Sequence, residues 1–326
     1  VRQSVKSFTS ALNEAILLKK FVRKLEAKNM PISIRPITPD FAGEVTGIDI
    51  RNALSTEEIA AINLGMDKFA VLVLPGQDID DAQQSAFSRN FGTLEIPGSD
   101  SNITKSTDRR VSSDIADISN LDRNQKLLKR DDRQRMFNLG NQLWHSDSSF
   151  KPVPAKYSLL SGRIVPDVGG DTEFADMRAA YDTLEDYLKE EIEDLICEHS
   201  LLHSRGTLGF TEMTNKEKQN FKPVYQTLVR THPVTGRKSL YLSAHAGTIV
   251  GWPVPEARAL LRELNEHATQ KQFVYRHKWR QHDLVIWDNR QTMHRATRFR
   301  DTELVRDMRR TTVAGDGPTV RNQEVA

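Results

Sequence analysis

The chain of 326 residues has a single cysteine, Cys197, and that scarcity removes several classes of protein at once. One thiol closes no internal disulfide and supplies no cysteine-rich zinc site, so a disulfide-stapled scaffold is excluded and a reducing, cytoplasmic setting is the expectation. The surrounding Cys-Glu-His-Ser has no nucleophile-elbow pattern, and Cys197 is expected to be a buried structural residue. No apolar run comes near the ~20 residues that a membrane-spanning helix requires, and the mean hydropathy is −0.54. Gly169-Gly170 stands in no Gly-x-Gly-x-x-Gly or Walker pattern, so a tight turn before a strand is expected there, without a phosphate-cradling loop.

An excess of charge is also missing. Forty-six basic residues face 44 acidic ones, for a net charge of +2. The small surplus is unevenly placed. Residues 1–29 carry seven basic side chains and two acidic ones, and the remaining 297 hold 39 against 42, a net of −3. The basic stretch is apolar at helix-like spacing between residues 11 and 25, as in a targeting presequence, a membrane-surface helix or translated upstream sequence. With Met30 the first methionine, residues 1–29 are expected to be an N-terminal extension, non-native or dispensable, and residues 30–326 a single domain. The acidic remainder argues against a nucleic-acid partner.

Short alternating runs dominate the chain from residue 32 onward. Residues 32–35, 43–49 and 71–74 read as strands, with a capping box at Ser55-Thr-Glu-Glu58 opening a helix to about residue 69 and a second helix over about 80–91. Residues 95–142 are polar and irregular apart from a strand near 115–118, the composition of a lid. Beyond them, strands are expected at 157–160, 225–231, 240–243, 273–278 and 284–287, with a hairpin turn at Thr235-Gly236-Arg237 and helices over 176–195 and 255–270. This is a mainly β chain with flanking helices, in a barrel or sandwich.

Reactive residue types first converge at Trp144-His145-Ser146-Asp147. Residues i and i+2 of an extended strand point the same way, so His145 and Asp147 can share one metal ion. His-x-Asp is a weak signal alone, and His294, on a strand just after the turn that closes 283–289, is the candidate third ligand. Two imidazoles and one carboxylate leave an open face that suits non-haem Fe(II) and dioxygen. Enzymes of this kind often take electrons from 2-oxoglutarate, whose far carboxylate calls for an arginine fork, and Arg306 is placed to supply it. Arg306, Met308 and Arg310 fall on one side of a strand. Trp144 and Trp287 are expected in the core or walling the cofactor cavity.

His145-Ser-Asp147, Gly169-Gly-Asp-Thr172, Trp287-Asp-Asn-Arg290 with His294, and Arg306 with Arg310 together resemble the Fe(II)/2-oxoglutarate dioxygenases of the taurine dioxygenase superfamily. The strings Asn141 to Phe150 and Thr172 to Tyr181 are similar to the 2,4-dichlorophenoxyacetate dioxygenase branch, and the resemblance covers roughly residues 32–316. It implies a double-stranded β-helix core of jelly-roll, cupin-like type. Fe(II) would be held by His145, Asp147 and His294, and 2-oxoglutarate by Arg306 with Thr172. The substrate carboxylate would fall to Arg310 and His232, with Lys105, Lys126 or Lys129 reaching in from the lid. The implied reaction hydroxylates the carbon beside the ether oxygen of an aryloxyalkanoate, giving a phenol, glyoxylate, succinate and CO2. The alternatives are the same chemistry on a sulfonate, alkyl sulfate or other small acid, and a non-catalytic metal- or acid-binding barrel. A homo-oligomer stays open.

Overall fold

The computed structural model describes residues 32–98, 101–104 and 106–320, so the expectation for residues 1–29 lies outside the described residues. Strands β1 (Ser33–Pro36), β2 (Ala42–Thr46) and β3 (Val71–Leu74) open the chain, with helix α1 (Thr56–Phe69) between the last two. The capping box exists as read: Ser55 Oγ accepts from the Glu58 amide at 3.1 Å and the Glu58 carboxylate accepts from the Ser55 amide at 2.8 Å. Helix α2 (Asp81–Arg89) carries a second capping box, between Asp80 and Gln83.

Segment 95–142 holds the short strand expected, as β4 (Ala116–Ser119), and also a helix that was not expected, α3 (Arg133–Asn138). Ion pairs pin it to the body of the fold: Arg110 reaches Asp117 at 2.8 Å and Asp307 at 2.9 Å, and Arg135 reaches Asp301 at 2.8 Å.

Strands β5 (Ala155–Ile164) and β6 (Thr172–Asp176) come next, with Gly169 and Gly170 at φ +77 and +71 in the turn between them. A β carbon on Gly169 would sit 2.4 Å from the Arg298 carbonyl, so glycine is required both for conformation and for space. The single helix expected over 176–195 is two helices, α4 (Met177–Asp182) and α5 (Asp186–Ile192), and strand β7 (Ile196–His199) follows them. The break has a local cause. Thr183 Oγ1 donates to the Ala179 and Ala180 carbonyls at 3.0 and 3.1 Å, competing with continuation of the helix.

After α6 (Leu201–Gly206) and α7 (Asn215–Asn220), the run expected at 225–231 serves two sheets. Strand β8 (Val224–Thr227) pairs with β7, whereas β9 (Val229–Thr231) pairs with β10 (Lys238–Leu240) across the expected hairpin turn. Strand β11 (Ala246–Ile249) completes the sheet of β7 and β8. Helix α8 (Val254–Ala268) buries Ala257, Leu261, Leu264 and Ala268, a stripe at 3.6-residue spacing. The last strands are β12 (Val274–His277), β13 (Leu284–Asp288), β14 (Thr292–Ala296) and β15 (Asp307–Ala314).

Seven strands form the main sheet in the order β1-β2-β3-β13-β5-β15-β4, and β12-β6-β14 form a smaller one. Alternation sorts the main sheet. Leu72, Leu74, Tyr157, Leu159, Leu284 and Ile286 pack outward with residues of α1 and α2, including Ile62, Met66 and Phe87. Val71, Val73, Leu160, Val285, Trp287 and Met308 face inward and meet Phe174 of the smaller sheet. The other side of that sheet, through Ala175 and Met293, packs in the cluster that includes residues of α4, α5 and α8. The interior between the sheets is where the candidate ligands project.

Cys197 is buried, and burial pushes its thiol up to about 12, so it is structural as expected. His199, also on β7, is buried against Tyr241 with ring centroids 5.9 Å apart, and burial lowers it to about 3. The folded chain therefore keeps His199 neutral while the unfolded chain protonates it below its ordinary 6.5. This contribution is fully present above pH 6.5 and is lost as pH falls toward 3, at roughly 1.4 kcal/mol per pH unit. Denaturant midpoints should fall between pH 7 and pH 5, and His199→Phe should flatten that slope. An unchanged slope in the variant would remove His199 as a source of acid sensitivity.

Candidate metal centre

The two histidines meet through their backbones before their side chains are considered. His145 N donates to the His294 carbonyl at 3.0 Å and His294 N donates to the His145 carbonyl at 2.8 Å. This isolated antiparallel bridge sets the two residues directly opposite each other, with ring centroids 4.2 Å apart. His294 is on β14, whose partner β6 places Phe174 opposite it. Asp147, two residues beyond His145, is held by its amide to Asn289 Oδ1 at 3.0 Å. The next residue, Ser148, takes φ +55, an uncommon conformation for a side chain-bearing residue, and its hydroxyl donates to Glu95 at 2.8 Å.

His145 Nε2 lies 3.8 Å from Asp147 Oδ1 and His294 Nε2 lies 3.7 Å from Asp147 Oδ2. All three ligand atoms fall within 4.8 Å of one another, and all three residues are buried. His145 Nδ1 is 2.7 Å from the Leu143 carbonyl; that contact requires Nδ1 to carry the proton and leaves the Nε2 lone pair for a cation. Burial lowers His145 against the pull of Asp147, and burial with His145 nearby lowers His294 well below its ordinary value. Burial alone would raise the Asp147 carboxyl, but Arg310, His294 and His145 outweigh it and hold the group at about 2. Two neutral imidazoles and one carboxylate are the donor set a divalent cation needs, and with three protein donors the rest of its coordination shell stays open.

The support of Asp147 was not readable in the sequence. Ser158 Oγ donates to Asp147 Oδ2 at 2.7 Å and accepts from Asn289 Nδ2 at 2.9 Å, while Trp287 Nε1 donates to Asn289 Oδ1 at 3.0 Å. Trp287 also lies against the His294 ring at 4.6 Å, so it walls the centre as well as filling the core. Trp144 belongs to the buried cluster on the far side of the smaller sheet, under the Arg295 guanidinium at 4.6 Å. The signal for Asn289 was its place in Trp287-Asp-Asn-Arg290. Nothing in the local sequence separates Ser158 from any other small residue of a strand.

Arg306 is buried, its Nε donates to the Gly170 carbonyl at 3.0 Å, and its amide donates to Asn120 Oδ1 at 2.9 Å. No carboxylate among the described residues forms an ion pair with it, and burial lowers the guanidinium to about 10. Ile118, Asn120, Leu128, Ala296 and Phe299 line a cavity with it. Arg310 contacts Asp147 Oδ1 through Nη1, and its buried Nε has no partner among the described residues. Thr172 is buried, with Oγ1 3.0 Å from Trp279 Nε1.

The remaining positions do not reach the centre. The His232 side chain has no exposed surface; Thr235 occupies Nδ1, and Nε2 is 3.3 Å from Asp288 Oδ2. Asp288 is in turn clasped by Arg290 at 2.8 Å, which holds its carboxyl far below the usual range despite burial. His232 is thus enclosed beside Asp288 with no exposed side-chain surface, which corrects its assignment to substrate. Lys126, at the end of the turn closed by the Leu121–Leu127 bridge, and Lys129, two residues past that bridge, are both exposed, and the residue between them that lines the cavity is Leu128. Neither lysine is placed to meet a substrate in the interior. Lys105 lies outside the described residues.

Fold and site together define a mononuclear non-haem metal centre of the two-histidine, one-carboxylate kind, set between two β-sheets. A family model described as taurine catabolism dioxygenase TauD, TfdA family, matches residues 33–312, and the chain belongs to this family. It is 47% identical over 287 residues to an alpha-ketoglutarate-dependent 2,4-dichlorophenoxyacetate dioxygenase of Cupriavidus pinatubonensis, covering 88% of this chain and 99% of that protein. It is 38% identical over 290 residues to an (S)-phenoxypropionate/alpha-ketoglutarate-dioxygenase of Sphingobium herbicidovorans, covering 87% and 95%. Among solved structures, that of AAD-2 in complex with Mn(II) and N-oxalylglycine superposes with a TM-score of 0.87 at 60% identity, covering 89% of this chain and all of the other.

Asp147→Ala should abolish Mn(II) binding measured by electron paramagnetic resonance titration. Ser158→Ala, which leaves every ligand in place, should weaken it by roughly tenfold. Wild-type affinity in Ser158→Ala would show that this hydrogen bond does not orient the carboxylate.

Proposed function

We propose that the chain is an Fe(II)- and 2-oxoglutarate-dependent dioxygenase that hydroxylates the carbon next to the ether oxygen of an aryloxyalkanoate such as 2,4-dichlorophenoxyacetate. One observation carries the reading beyond the donor set: Arg306, a buried guanidinium with no carboxylate ion pair among the described residues, lines a cavity together with Ala296, two residues beyond the ligand His294 on β14. An uncompensated buried cation is costly, and a dicarboxylate co-substrate supplies the missing partner. The names of the relatives, alpha-ketoglutarate-dependent dioxygenases acting on 2,4-dichlorophenoxyacetate and phenoxypropionate, support the same choice.

His145, Asp147 and His294 would hold the iron. When bound, iron and 2-oxoglutarate activate dioxygen so that one oxygen atom enters 2-oxoglutarate, releasing succinate and CO2, and the other enters a substrate C–H bond. The chain's own residues bind and orient. Arg306 pairs with the C5 carboxylate of 2-oxoglutarate, with Thr172 donating beside it. Arg310, which keeps a buried Nε donor free, takes the substrate carboxylate. Trp287 and Phe174, packed on the His294 ring at 4.6 and 6.2 Å, exclude water from that side. The hydroxylated carbon bears the ether oxygen, so the product is a hemiacetal that collapses to a phenol and glyoxylate without a catalytic base.

The same reading treats residues 30–326 as one catalytic domain on a double-stranded β-helix, with 95–142 as the cover over the cavity, since Ile118, Asn120 and Leu128 line it beside Arg306. A single thiol, buried and free, fits a reducing cytoplasm.

Arg306→Ala should raise the 2-oxoglutarate requirement by roughly 10–100-fold and change the aryloxyalkanoate requirement far less. Arg310→Ala should do the reverse. Both are read from succinate formation with each substrate varied in turn, and equal effects on the two requirements would show the arginines to be misassigned. No succinate with any aryloxyalkanoate at saturating Fe(II) would overturn the proposed reaction.

A further inference from the structure

We propose that Trp279 is the positioning residue that turns Thr172 into a hydrogen-bond donor toward the 2-oxoglutarate carboxylate, an inference that rests on the co-substrate reading above. A threonine hydroxyl has one proton and two lone pairs, whereas an indole N–H can only donate. Trp279 Nε1 lies 3.0 Å from Thr172 Oγ1, so the threonine oxygen must accept there. Its own proton is then directed elsewhere, and no acceptor among the described residues takes it. Thr172 is 2% exposed, so bulk water does not satisfy that proton either.

The residues around Thr172 border the cavity that Arg306 lines. Thr172 and Phe174 share one face of β6, and Phe174 stacks on the His294 ring. Ala296, the register partner of Thr172 on β14, lines the same cavity as Arg306. Gly170, two residues before Thr172, offers its carbonyl to Arg306 Nε, and a β carbon there would come within 3.2 Å of the Arg306 side chain. One short segment, 170–172, therefore fixes both the arginine and the threonine.

Trp279 is itself held. His277, the other register partner of Thr172, meets the indole edge-on at 4.7 Å and 89°. His277 is fixed by the Tyr275 hydroxyl at 3.1 Å from Nδ1 and by Asp283, 3.2 Å from Nε2. On its other side the indole lies against Gly162 of β5, where a β carbon would stand 3.4 Å from the ring. These contacts hold the indole beside Thr172, so the hydroxyl rotor of Thr172 is restricted before any co-substrate arrives. A restricted donor loses less rotor freedom on binding.

The test is calorimetric binding of N-oxalylglycine to the Mn(II)-loaded protein. Trp279→Phe should weaken it about five- to tenfold, with Mn(II) affinity and Tm close to wild type. Thr172→Val should weaken it by a similar factor, and Trp279→Phe added to Thr172→Val should change it by less than about twofold, because the two act through one contact. In steady state the KM for 2-oxoglutarate should rise in Trp279→Phe while the KM for the aryloxyalkanoate holds. Trp279→His, smaller but still carrying a ring N–H, should keep more affinity than Trp279→Phe, and equal losses in the two would overturn the hydrogen-bond role. Losses that multiply in the double variant would likewise reduce Trp279 to packing. If Thr172→Val binds like wild type, the failure lies in the reading of Thr172; if Thr172→Val weakens binding and Trp279→Phe does not, it lies in the role given to Trp279.

Discussion

Two amide–carbonyl hydrogen bonds between His145 and His294 hold this structure's chemistry in place. The residues are far apart in the chain, and each belongs to a segment with its own tether: β14 to β6, and the 145–148 turn to Asn289 and Glu95. The reciprocal bridge brings the tethers into register and presents both Nε2 atoms to one carboxylate. Everything nearby depends on that register. Phe174 and Trp287 can pack on the His294 ring only while β6, β13 and β14 keep their alignment, and Ser158 can orient Asp147 only because β5 neighbours β13.

Burial of ionisable groups is costly unless each is paired, and the pairing pattern separates structure from function. Arg290 pairs with Asp288 and Asp316, with His232 packed beside Asp288, and Arg178 pairs with Asp176 at the N-terminus of α4. Arg306 is different. Among the described residues, the charged group that acts on it is Asp171, which opposes but does not cancel the cost of burial. Arg310 lies between the two cases, one nitrogen engaged by Asp147 and another left over. A cation whose charge is left for an outside partner marks a binding site; one already matched marks the frame that supports it.

The same logic explains segment 95–142. A polar segment with little periodicity reads as loose, yet Arg110 and Arg135 tie 95–142 to Asp307 and Asp301 close to the strand that carries Arg310. Those partners are remote in sequence, so no local pattern could announce them. The lysines illustrate the converse. Lys126 and Lys129 are suited to an acid by their charge, but Leu128 is the buried residue between them and both lysines are on the surface.

Much of the frame was legible because it is local. The capping box at Ser55, the stripe on α8, the turn at Gly169-Gly170 and the inward alternation of β13 each arise from neighbours within a few residues. His145, Asp147, His294 and Arg306 were legible as residue types whose chemistry fits one another. The division of 224–231 between two sheets and the hydrogen bonds made by Ser158 and Trp279 were not. They depend on partners supplied by distant strands. The sequence by itself determined which donors and charges exist and which short segments carry them. Only the tertiary structure decided which of them face a common interior, because register between strands, and not spacing along the chain, sets which side chains meet.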